Sequence, residues 1–189
     1  QLRPAISLTV LFTLLTGLAY PLAMTGIAQA VFPASANGSL IRHDNTVIGS
    51  SLIAQPFTGA AYLHPRPSVS GWNAAGTGAS NLGPTSAALI AAVAERRAAW
   101  EAENQVPAPI DAVTMSGSGL DPDISPETAL AQANRIAIAR GADPVAVRKL
   151  IGQAVKGRTL GLYGEARVNV LLTNIALDEA FPMPPAGSE

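Results

Sequence analysis

The serine in the middle of the stretch MSGSGLD (115–121) is the side chain most like a catalytic nucleophile in this chain of 189 residues. Many hydrolases present their serine in a glycine–x–serine–x–glycine turn, which exposes the hydroxyl between a strand and a helix. With Ser118 as the nucleophile, Ser116 stands where the first glycine is required. The incomplete pattern leaves two alternatives: a nucleophile, or a serine that stabilises a turn through hydrogen bonds to the backbone.

A serine nucleophile needs a histidine base, and the chain has two histidines, His43 and His64. A triad is defined by geometry and not by order in the sequence, so His64 is a candidate base for Ser118. Asp111 or Asp121 would orient its imidazole. This alternative predicts a hydrolase. The competing interpretation, in which Ser118 and Asp121 form turns, requires no catalytic residue, and we favour it.

The glycine-rich stretch GTGASNLGPTSAAL (76–89) differs by one residue from a phosphate-binding loop. In such a loop a lysine follows the last glycine and contacts the outer phosphates, but Pro84 stands at that position. Proline removes both the positive charge and one backbone donor. We therefore expect a connection with Ser80, Asn81 and Thr85 as its polar groups. Direct nucleotide binding by this loop is the less favoured alternative.

The overall composition excludes further classes of function. Charged residues make up 13% of the chain, the formal net charge is −1, and no segment clusters lysine or arginine. The electrostatic footprint of nucleic-acid binding is therefore absent. No cysteine is present, which excludes disulfides and thiolate metal sites. Asp121 and Asp123 flank a proline, which we interpret as a helix-entry turn and not as a calcium loop. The favoured interpretation has no bound cofactor and no metal.

The elements that would position these residues begin with one long apolar segment. No charged residue occurs between Arg3 and Arg42, and residues 5–32 are mostly apolar. About 20 helical residues suffice to cross the roughly 30 Å of a bilayer core. We therefore predict a transmembrane anchor over residues 1–32. A cleaved signal peptide is the alternative, but its apolar region usually has only about 7–15 residues.

Arg3 on the short N-terminal side favours a cytoplasmic N-terminus and places residues 33–189 outside, in the periplasm. Within the span, Pro21 cannot donate a hydrogen bond to the carbonyl of Gly17, which predicts a kink. Gly17, Pro21 and Gly26 are candidates for packing against other membrane helices, because small residues allow close approach in lipid. The alternative is a lone anchor whose small residues have no partner.

The rest of the chain shows the apolar periodicity and capping signals of a small α+β domain. We predict a β-hairpin over 38–57, helices over 84–104, 126–140, 144–155 and 167–181, and a short strand over 110–116. Ser125 marks the start and Gly141 the end of the second of these helices. The fold is expected to be a single N-terminal transmembrane helix, then a mixed periplasmic domain (33–181) with about four helices and a few short strands. Residues 182–189 are expected to be a disordered tail.

Several stretches, taken together, resemble the C subunit of the bacterial Kdp-type potassium-transporting ATPase, the KdpC family. They are GSSLIAQPF, YLHPRPS, GASNLGPTS, TMSGSGLDPDISPETALAQANRIAIARG and LGLYGEARVNVLLTNIAL, in this order after a single anchor. The runs at 80–85 and 116–122 carry most of the resemblance, which covers almost all of residues 1–181.

The resemblance implies a noncatalytic accessory subunit of an ATP-driven potassium import complex in the bacterial inner membrane. The implied partners are a channel-like potassium-translocating subunit, a P-type ATPase subunit and a small single-helix subunit. ATP and potassium would be used by the complex. Such subunits are also described as catalytic chaperones that raise the pump's affinity for ATP. Because residues 33–189 are expected outside, that effect would have to pass through the membrane helices.

The polar residues of the outer domain are expected to serve its structure or its contacts with these partners. The candidates are Arg66, Ser80, Asn81, Gly83, Thr85, Ser118, Asp121, Arg135, Arg167 and Asn169. Three of them are arginines in apolar or glycine-rich surroundings, which is typical of guanidinium groups bound to carbonyls or carboxylates at an interface. Ordinary surface arginines are the alternative.

Overall fold

The computed structural model describes residues 1–183 and divides the chain into two compact units, Gln1–Ser50 and the residues from 51 onward. The predicted tail begins at 182, and its residues 184–189 lie outside the described part.

The first unit begins with helix α1, Leu2–Val31, which is long and apolar enough to cross a membrane. None of its residues is buried within the chain. A helix with apolar side chains on all sides and nothing packed against them requires an apolar environment, such as lipid or other helices. The predicted N-terminal apolar helix is therefore confirmed as a candidate membrane span.

Helix α1 contains one π-helical turn, Leu15–Ala19, directly before Pro21. The amide of Tyr20 donates to the carbonyl of Leu15, five residues earlier. The helical hydrogen bonds take this longer spacing next to Pro21, which has no N–H to donate. A Cβ placed on Gly17 or Gly26 would meet no atom within 4 Å. Their role in packing against another membrane helix stays a prediction.

The first unit ends with a short helix α2, Pro33–Ala36, and a β-hairpin. Its strands are β1, Leu40–His43, and β2, Thr46–Ser50, paired antiparallel. Asp44 and Asn45 form the two-residue turn with φ values of 45° and 63°, the left-handed region that such a turn demands and that these residue types tolerate. The hairpin predicted around these residues is confirmed, with shorter strands than 38–57.

The second unit is built mainly from helices. Its helices are α3 Ala87–Asn104, α4 Ile110–Val113, α5 Pro126–Ala131, α6 Ala133–Arg140, α7 Pro144–Gln153 and α8 Val170–Ala180. Two short antiparallel strands, β3 Asp123–Ile124 and β4 Val168–Asn169, bring the start of α5 beside the start of α8. The mixed α+β class is confirmed.

Capping residues explain several helix ends. The Ser125 hydroxyl accepts from the amide of Thr128, and the Asp143 carboxylate accepts from that of Val145. Gly141 ends α6 with a φ of 61°, a conformation that favours glycine. The helix predicted over 126–140 is divided into α5 and α6 at Gln132.

The strand predicted over 110–116 is wrong, since Ile110–Val113 forms helix α4. Pro109 leads into it in an extended conformation, and the turn buries Ala112 and Val113. The short apolar run therefore packs as one helical turn, which alternation alone does not distinguish from a strand.

Two other predicted helix starts are too early. Helix α3 begins at Ala87 and not at Pro84, because residues 83–86 form a turn and Ser86 is the N-cap. Helix α8 begins at Val170 and not at 167. The two residues before it pair with β3, and the Asn169 side chain caps the helix by accepting from the amide of Leu172.

The core of the second unit lies where α5, α6, α7 and α8 meet the segment before α3. Its buried side chains are Leu63, Ile124, Ala129, Ala133, Ile136, Ala137, Val147, Ile151, Val168, Val170 and Leu177. Alanine at three core positions of α5 and α6 allows close approach of the backbones, and larger aliphatic residues fill the space between. This rigid core supports the polar contacts described below.

Candidate functional site

The segment 59–66 begins with a turn, closed by the amide of Tyr62 on the carbonyl of Gly59 at 3.1 Å, and continues without strand partners among the described residues. Side chains of α6 and α8 bind its backbone instead. Arg135 Nη1 donates to the carbonyls of Ala60 at 2.7 Å and Gly59 at 3.4 Å, and its Nη2 donates to that of Tyr62 at 3.1 Å. A buried carbonyl without a partner is costly, so these bonds replace the missing sheet.

Arg135 uses its remaining donors within the same unit. Its Nη2 bonds to Gln132 Oε1 at 2.6 Å and its Nε to Asn104 Oδ1 at 3.0 Å, with Glu103 Oε1 at 3.6 Å. Burial lowers the pKa of Arg135, and the Glu103 carboxylate opposes this shift. All five N–H donors of Arg135 are engaged, so this side chain joins α3 and α6 to the segment 59–66.

Arg140, at the end of α6, binds the same segment in a similar way, and its side chain is fully buried. Its Nε donates to the carbonyl of Ala61 at 2.8 Å. The other donors bind the C-terminal end of α8, through the carbonyls of Leu177 and Phe181 and the carboxylate of Asp178 at 2.8 Å. A cation at a helix C-terminus also complements the helix dipole there.

Two buried side-chain amides, those of Asn174 and Gln132, also bind the backbone of this segment. Asn174 binds both backbone groups of Leu63, accepting from its N–H at 2.7 Å and donating to its carbonyl at 3.0 Å. Gln132 accepts from the N–H of His64 at 2.8 Å. Each amide thus supplies a donor and an acceptor, as a neighbouring strand would. We call Gln132, Arg135, Arg140 and Asn174 the arginine–amide clamp.

His64 belongs to this clamp region and not to a catalytic triad. Its Nδ1 lies 3.4 Å from Glu103 Oε1, and its Nε2 lies 3.0 Å from the Gly59 carbonyl and 3.5 Å from Arg135 Nη1. Burial lowers the pKa of His64, and the positive charge of Arg135 lowers it further. Both ring nitrogens are engaged, and Ser118 is not among their described contacts.

Ser118 takes part in a serine-rich turn. Its Oγ accepts from the amide of Leu120 at 3.1 Å and lies 3.2 Å from Ser116 Oγ, which in turn accepts from the amide of Gly119. Gly119 has a φ of 72°, and a Cβ there would lie 2.5 Å from Ser70 Oγ. Close packing therefore requires Gly119, and Ser116 and Ser118 stabilise the turn through hydrogen bonds to its backbone, whereas a Cβ on Gly117 would meet no atom within 4 Å.

The two candidate orienting carboxylates are also engaged elsewhere. Asp111 accepts from the amide of Ser125 at 2.7 Å, from its hydroxyl at 2.9 Å, and from the hydroxyl of Thr128. Asp121 pairs with Arg66 at 2.9 Å. Neither carboxylate contacts His64 in the described residues, so the contacts of the hydrolase alternative are not assembled.

Arg66, Arg167 and Asn169 likewise bind groups of their own unit. Arg66 Nη2 donates to the carbonyl of Met115 at 3.0 Å. Arg167 Nε lies 3.1 Å from Asp123 Oδ2, and Asn169 Nδ2 donates to Asp123 Oδ1 at 3.1 Å. The two arginines and Asp123 line an open cleft of about 440 Å³. Among the described residues, no group of three acidic, histidine or cysteine side chains is arranged to hold a metal.

The glycine-rich loop before α3 is held only at its ends. The amide of Gly78 donates to the carbonyl of Ser118 at 2.9 Å, and that of Ser86 donates to the carbonyl of Gly83 at 3.0 Å. No strand between Ser50 and α3 leads into the loop in the described residues, as a phosphate loop would require. The loop is therefore a connection tied to the serine-rich turn.

Between these two backbone bonds lie Ser80, Asn81 and Thr85. Their side chains have no hydrogen-bond partner in the described part of the chain. Ser80 is half-buried, and Asn81 and Thr85 are exposed. Asn81 has a φ of 52°, which asparagine tolerates better than most residues. These groups are free for contacts outside the chain.

The exposed face of α3 continues this surface. It forms an apolar groove of about 580 Å³, lined by Pro84, Leu89, Ile90, Val93, Arg97 and Glu101 among others. Ile90 is 61% exposed, although Trp100, further along the same helix, is buried. We call Ser80, Asn81, Pro84, Thr85, Leu89, Ile90, Val93 and Arg97 the loop–helix surface.

Prediction from sequence missed most of the clamp. Gln132, Arg140 and Asn174 are not among the residues that the sequence singles out. The available signal was a polar residue on the apolar face of a helix: Asn174 lies between Leu171 and Leu177, which are both buried. Such positions are occupied by polar groups only when a partner is bound there.

Comparison with known proteins assigns a family to this fold and site. The family model for KdpC, "K+-transporting ATPase, c chain", matches residues 2–179. A potassium-transporting ATPase KdpC subunit of Cereibacter sphaeroides is 63% identical over 180 residues, which cover 95% of this chain and 97% of that protein. Proteins of the same name from Rhodospirillum rubrum and Methylorubrum extorquens are 56% and 54% identical, over 96% and 94% of this chain and 97% and 96% of theirs.

Proposed function

The chain belongs to the KdpC family, the c chain of K⁺-transporting ATPases, and we propose that it is a noncatalytic accessory subunit of an ATP-driven potassium import complex. It supports the assembly and stability of that complex with a channel-like potassium-translocating subunit, a P-type ATPase subunit and a small single-helix subunit. ATP and potassium are bound by those partners and not by this chain.

The loop–helix surface is the observation that carries this proposal. It combines polar groups that have no partner among the described residues with an apolar groove on the adjacent helix, whereas Arg66, Arg135 and Arg167 bind groups of their own unit. Interfaces between proteins typically have this composition, an apolar centre with polar groups that find partners on the other side. The surface is suited to docking against a partner subunit.

Helix α1 is the second attachment in this proposal. Its side chains are apolar and unburied, and Gly17 and Gly26 leave open space for another helix. Arg3 favours a cytoplasmic N-terminus, so the domain at 33–181 lies in the periplasm in this proposal. A raised ATP affinity of the P-type subunit, the catalytic-chaperone role, is then transmitted through the membrane helices as a coupling between two sites.

Purification of the complex tests the docking surface. Ile90→Asp places a charge in the groove, and we expect it to reduce recovery of this chain with a tagged P-type subunit by about tenfold. Val145→Asp is the matched control, since Val145 is 71% exposed on α7, outside the surface. Equal recovery of the two variants would contradict docking by the loop–helix surface.

The proposed topology is tested by cysteine labelling, because the chain has no cysteine of its own. Val145→Cys should react with a membrane-impermeant maleimide applied from the periplasmic side of intact cells. Arg3→Cys should react only after the inner membrane is opened. The reverse pattern would show that the second unit is cytoplasmic.

The chaperone role is tested by the ATP dependence of the pump. Complexes prepared with and without this chain should differ severalfold in KM for ATP, because the coupling free energy between linked sites is typically about 1–3 kcal/mol. The same KM in both preparations would remove the chaperone role and leave the assembly role in place.

A further inference from the structure

A loop between α7 and β4, residues 156–167, has an apolar and exposed tip. Two antiparallel bridges close it, one between Lys156 and Arg167 and one between Thr159 and Tyr163. The tip exposes three large side chains, with 85%, 75% and 68% of the residue surface accessible: Leu160, Leu162 and Tyr163. We call these three residues the loop tip. Such a concentration of apolar side chains on one loop is unusual for a surface that faces only water.

The loop is ordered by its own contacts. Arg158 Nη2 lies 2.9 and 2.7 Å from the two carboxylate oxygens of Glu165, which joins the two sides of the loop below the tip. Leu160 has a φ of 54°, in the left-handed region that is unfavourable for a residue with a Cβ. Leu160 is nevertheless the most exposed of the three, so the strain is not offset by burial within the chain.

Three of the backbone amides at the loop tip are bonded within the loop, and the Leu160 amide has no partner among the described residues. The amide of Gly161 donates to the carbonyl of Arg158 at 3.1 Å. The amides of Leu162 and Tyr163 both donate to the carbonyl of Thr159, at 3.1 and 3.0 Å. The internal bonds lower the cost of approaching lipid, because hydrocarbon offers no partner for a free N–H, and the remaining free groups limit the tip to the headgroup boundary.

The charges below the tip complement an anionic surface. Arg158 is paired with Glu165 and Arg167 with Asp123, so exposed Lys156 is the positive charge in excess. Basic side chains at this level bind lipid phosphates, and a tyrosine ring is suited to the boundary between headgroups and acyl chains.

We propose that the loop tip inserts into the boundary between headgroups and acyl chains of a bilayer that contains anionic phospholipid. The loop tip thereby provides a second, weaker membrane attachment for the second unit. This proposal rests on the proposed insertion of α1 in the same bilayer. The positive charge below the tip favours lipid over a protein partner, because exposed Lys156 and Arg158 lie where lipid phosphates would meet them.

Fluorescence quenching in vesicles tests this insertion with the full chain. A single cysteine introduced by Leu162→Cys carries an apolar, environment-sensitive fluorophore, in vesicles of phosphatidylethanolamine and phosphatidylglycerol. Nitroxide groups on the lipid acyl chains quench fluorophores that enter the bilayer. We expect a blue-shifted emission and strong quenching at this position.

Two matched positions control the experiment. Val145→Cys labels an exposed apolar position on α7, where we expect no quenching. Leu11→Cys labels the middle of α1, where quenching reports the anchor itself. Quenching at Leu11→Cys together with Leu162→Cys no greater than Val145→Cys overturns the loop proposal alone. No quenching at Leu11→Cys and Leu162→Cys overturns the anchor together with it.

A second variant removes the driving force without touching the core. Leu160→Ser in the Leu162→Cys background should lower the inserted-to-free ratio of the fluorophore by about tenfold, since burial of a leucine contributes about that factor. Unchanged quenching overturns the role of the tip side chains. A blue shift without nitroxide quenching that appears only when the other subunits of the complex are present assigns the tip to a protein partner and overturns the lipid proposal.

Discussion

The arginine–amide clamp and the loop–helix surface lie in the same unit but use polar residues in opposite ways. In the clamp, each guanidinium or amide binds named groups of the chain, and Arg135 has no donor left. On the loop–helix surface, Ser80, Asn81 and Thr85 bind nothing within the described residues, and Ile90 is exposed beside them. The difference separates residues that hold the fold from residues available to a partner.

This comparison also explains why arginines in apolar surroundings were ambiguous in the sequence. A guanidinium bound to carbonyls has the same sequence context whether the carbonyls belong to its own chain or to another subunit. Here the partners of Arg135 and Arg66 belong to the same unit. Substitutions in the clamp should therefore change stability, and substitutions on the loop–helix surface should change association.

The largest expected effect is the loss of Arg140. Arg140→Met leaves the carbonyls of Ala61 and Phe181 without their charged donor, and we expect the free energy of unfolding to fall by about 3–5 kcal/mol. Urea unfolding of the full chain in mild detergent, followed by the fluorescence of buried Trp100, measures this.

Arg148→Met is the matched control, because Arg148 is exposed and makes a single bond of 3.3 Å to Asn134. Its effect should stay within about 0.5 kcal/mol. Equal effects of the two substitutions would show that burial of Arg140 contributes nothing specific.

A smaller loss is expected from Asn174→Ala. The change leaves both backbone groups of Leu63 buried and unpaired, which should cost about 2–3 kcal/mol in the same unfolding measurement. Asn134→Ala on the exposed side of α6 serves as the control. A loss below about 0.5 kcal/mol would mean that water or a neighbouring group replaces the amide.

His64 gives the clamp a dependence on pH. Its pKa is lower in the folded state than the ordinary value of 6.5, so the unfolded chain binds the proton first as the pH falls. The stabilising contribution is complete above pH 6.5 and is lost as the pH decreases toward the folded pKa, by at most about 1.4 kcal/mol per pH unit.

Unfolding experiments between pH 7.5 and pH 5 compare the native chain with His64→Gln, which should be less sensitive to pH in this range. Glu103 and Arg135 are the charged groups that face the imidazole. His43→Gln, on the exposed hairpin turn, should leave the pH profile unchanged. A flat profile in the native chain would contradict the lowered pKa.

The smallest effect on stability is expected on the loop–helix surface. Ser80→Ala combined with Thr85→Ala should change the free energy of unfolding by less than about 0.5 kcal/mol. Neither side chain has a hydrogen-bond partner in the described part of the chain. The same double substitution should weaken recovery of the chain with its complex. A stability loss comparable to that of Asn174→Ala would assign these residues to the fold instead.

Local signals in the sequence were sufficient where neighbours along the chain decide the structure. The length of α1 follows from its apolar residues, the hairpin turn from Asp44 and Asn45, and the start of α5 from the Ser125 cap. The same local rules were wrong for residues 110–113. Whether a short apolar turn forms a helix or a strand depends on what it packs against.

The sequence by itself determined the class of this protein: an N-terminal apolar helix, a cysteine-free α+β domain, and the ordered motifs of the KdpC family. Only the tertiary structure decided which polar residues are partners. Arg140 and Ala61, or Asn174 and Leu63, are far apart in the chain, and no periodicity relates them. Hydrogen bonds between distant residues depend on how helices pack, and packing is a property of the whole core.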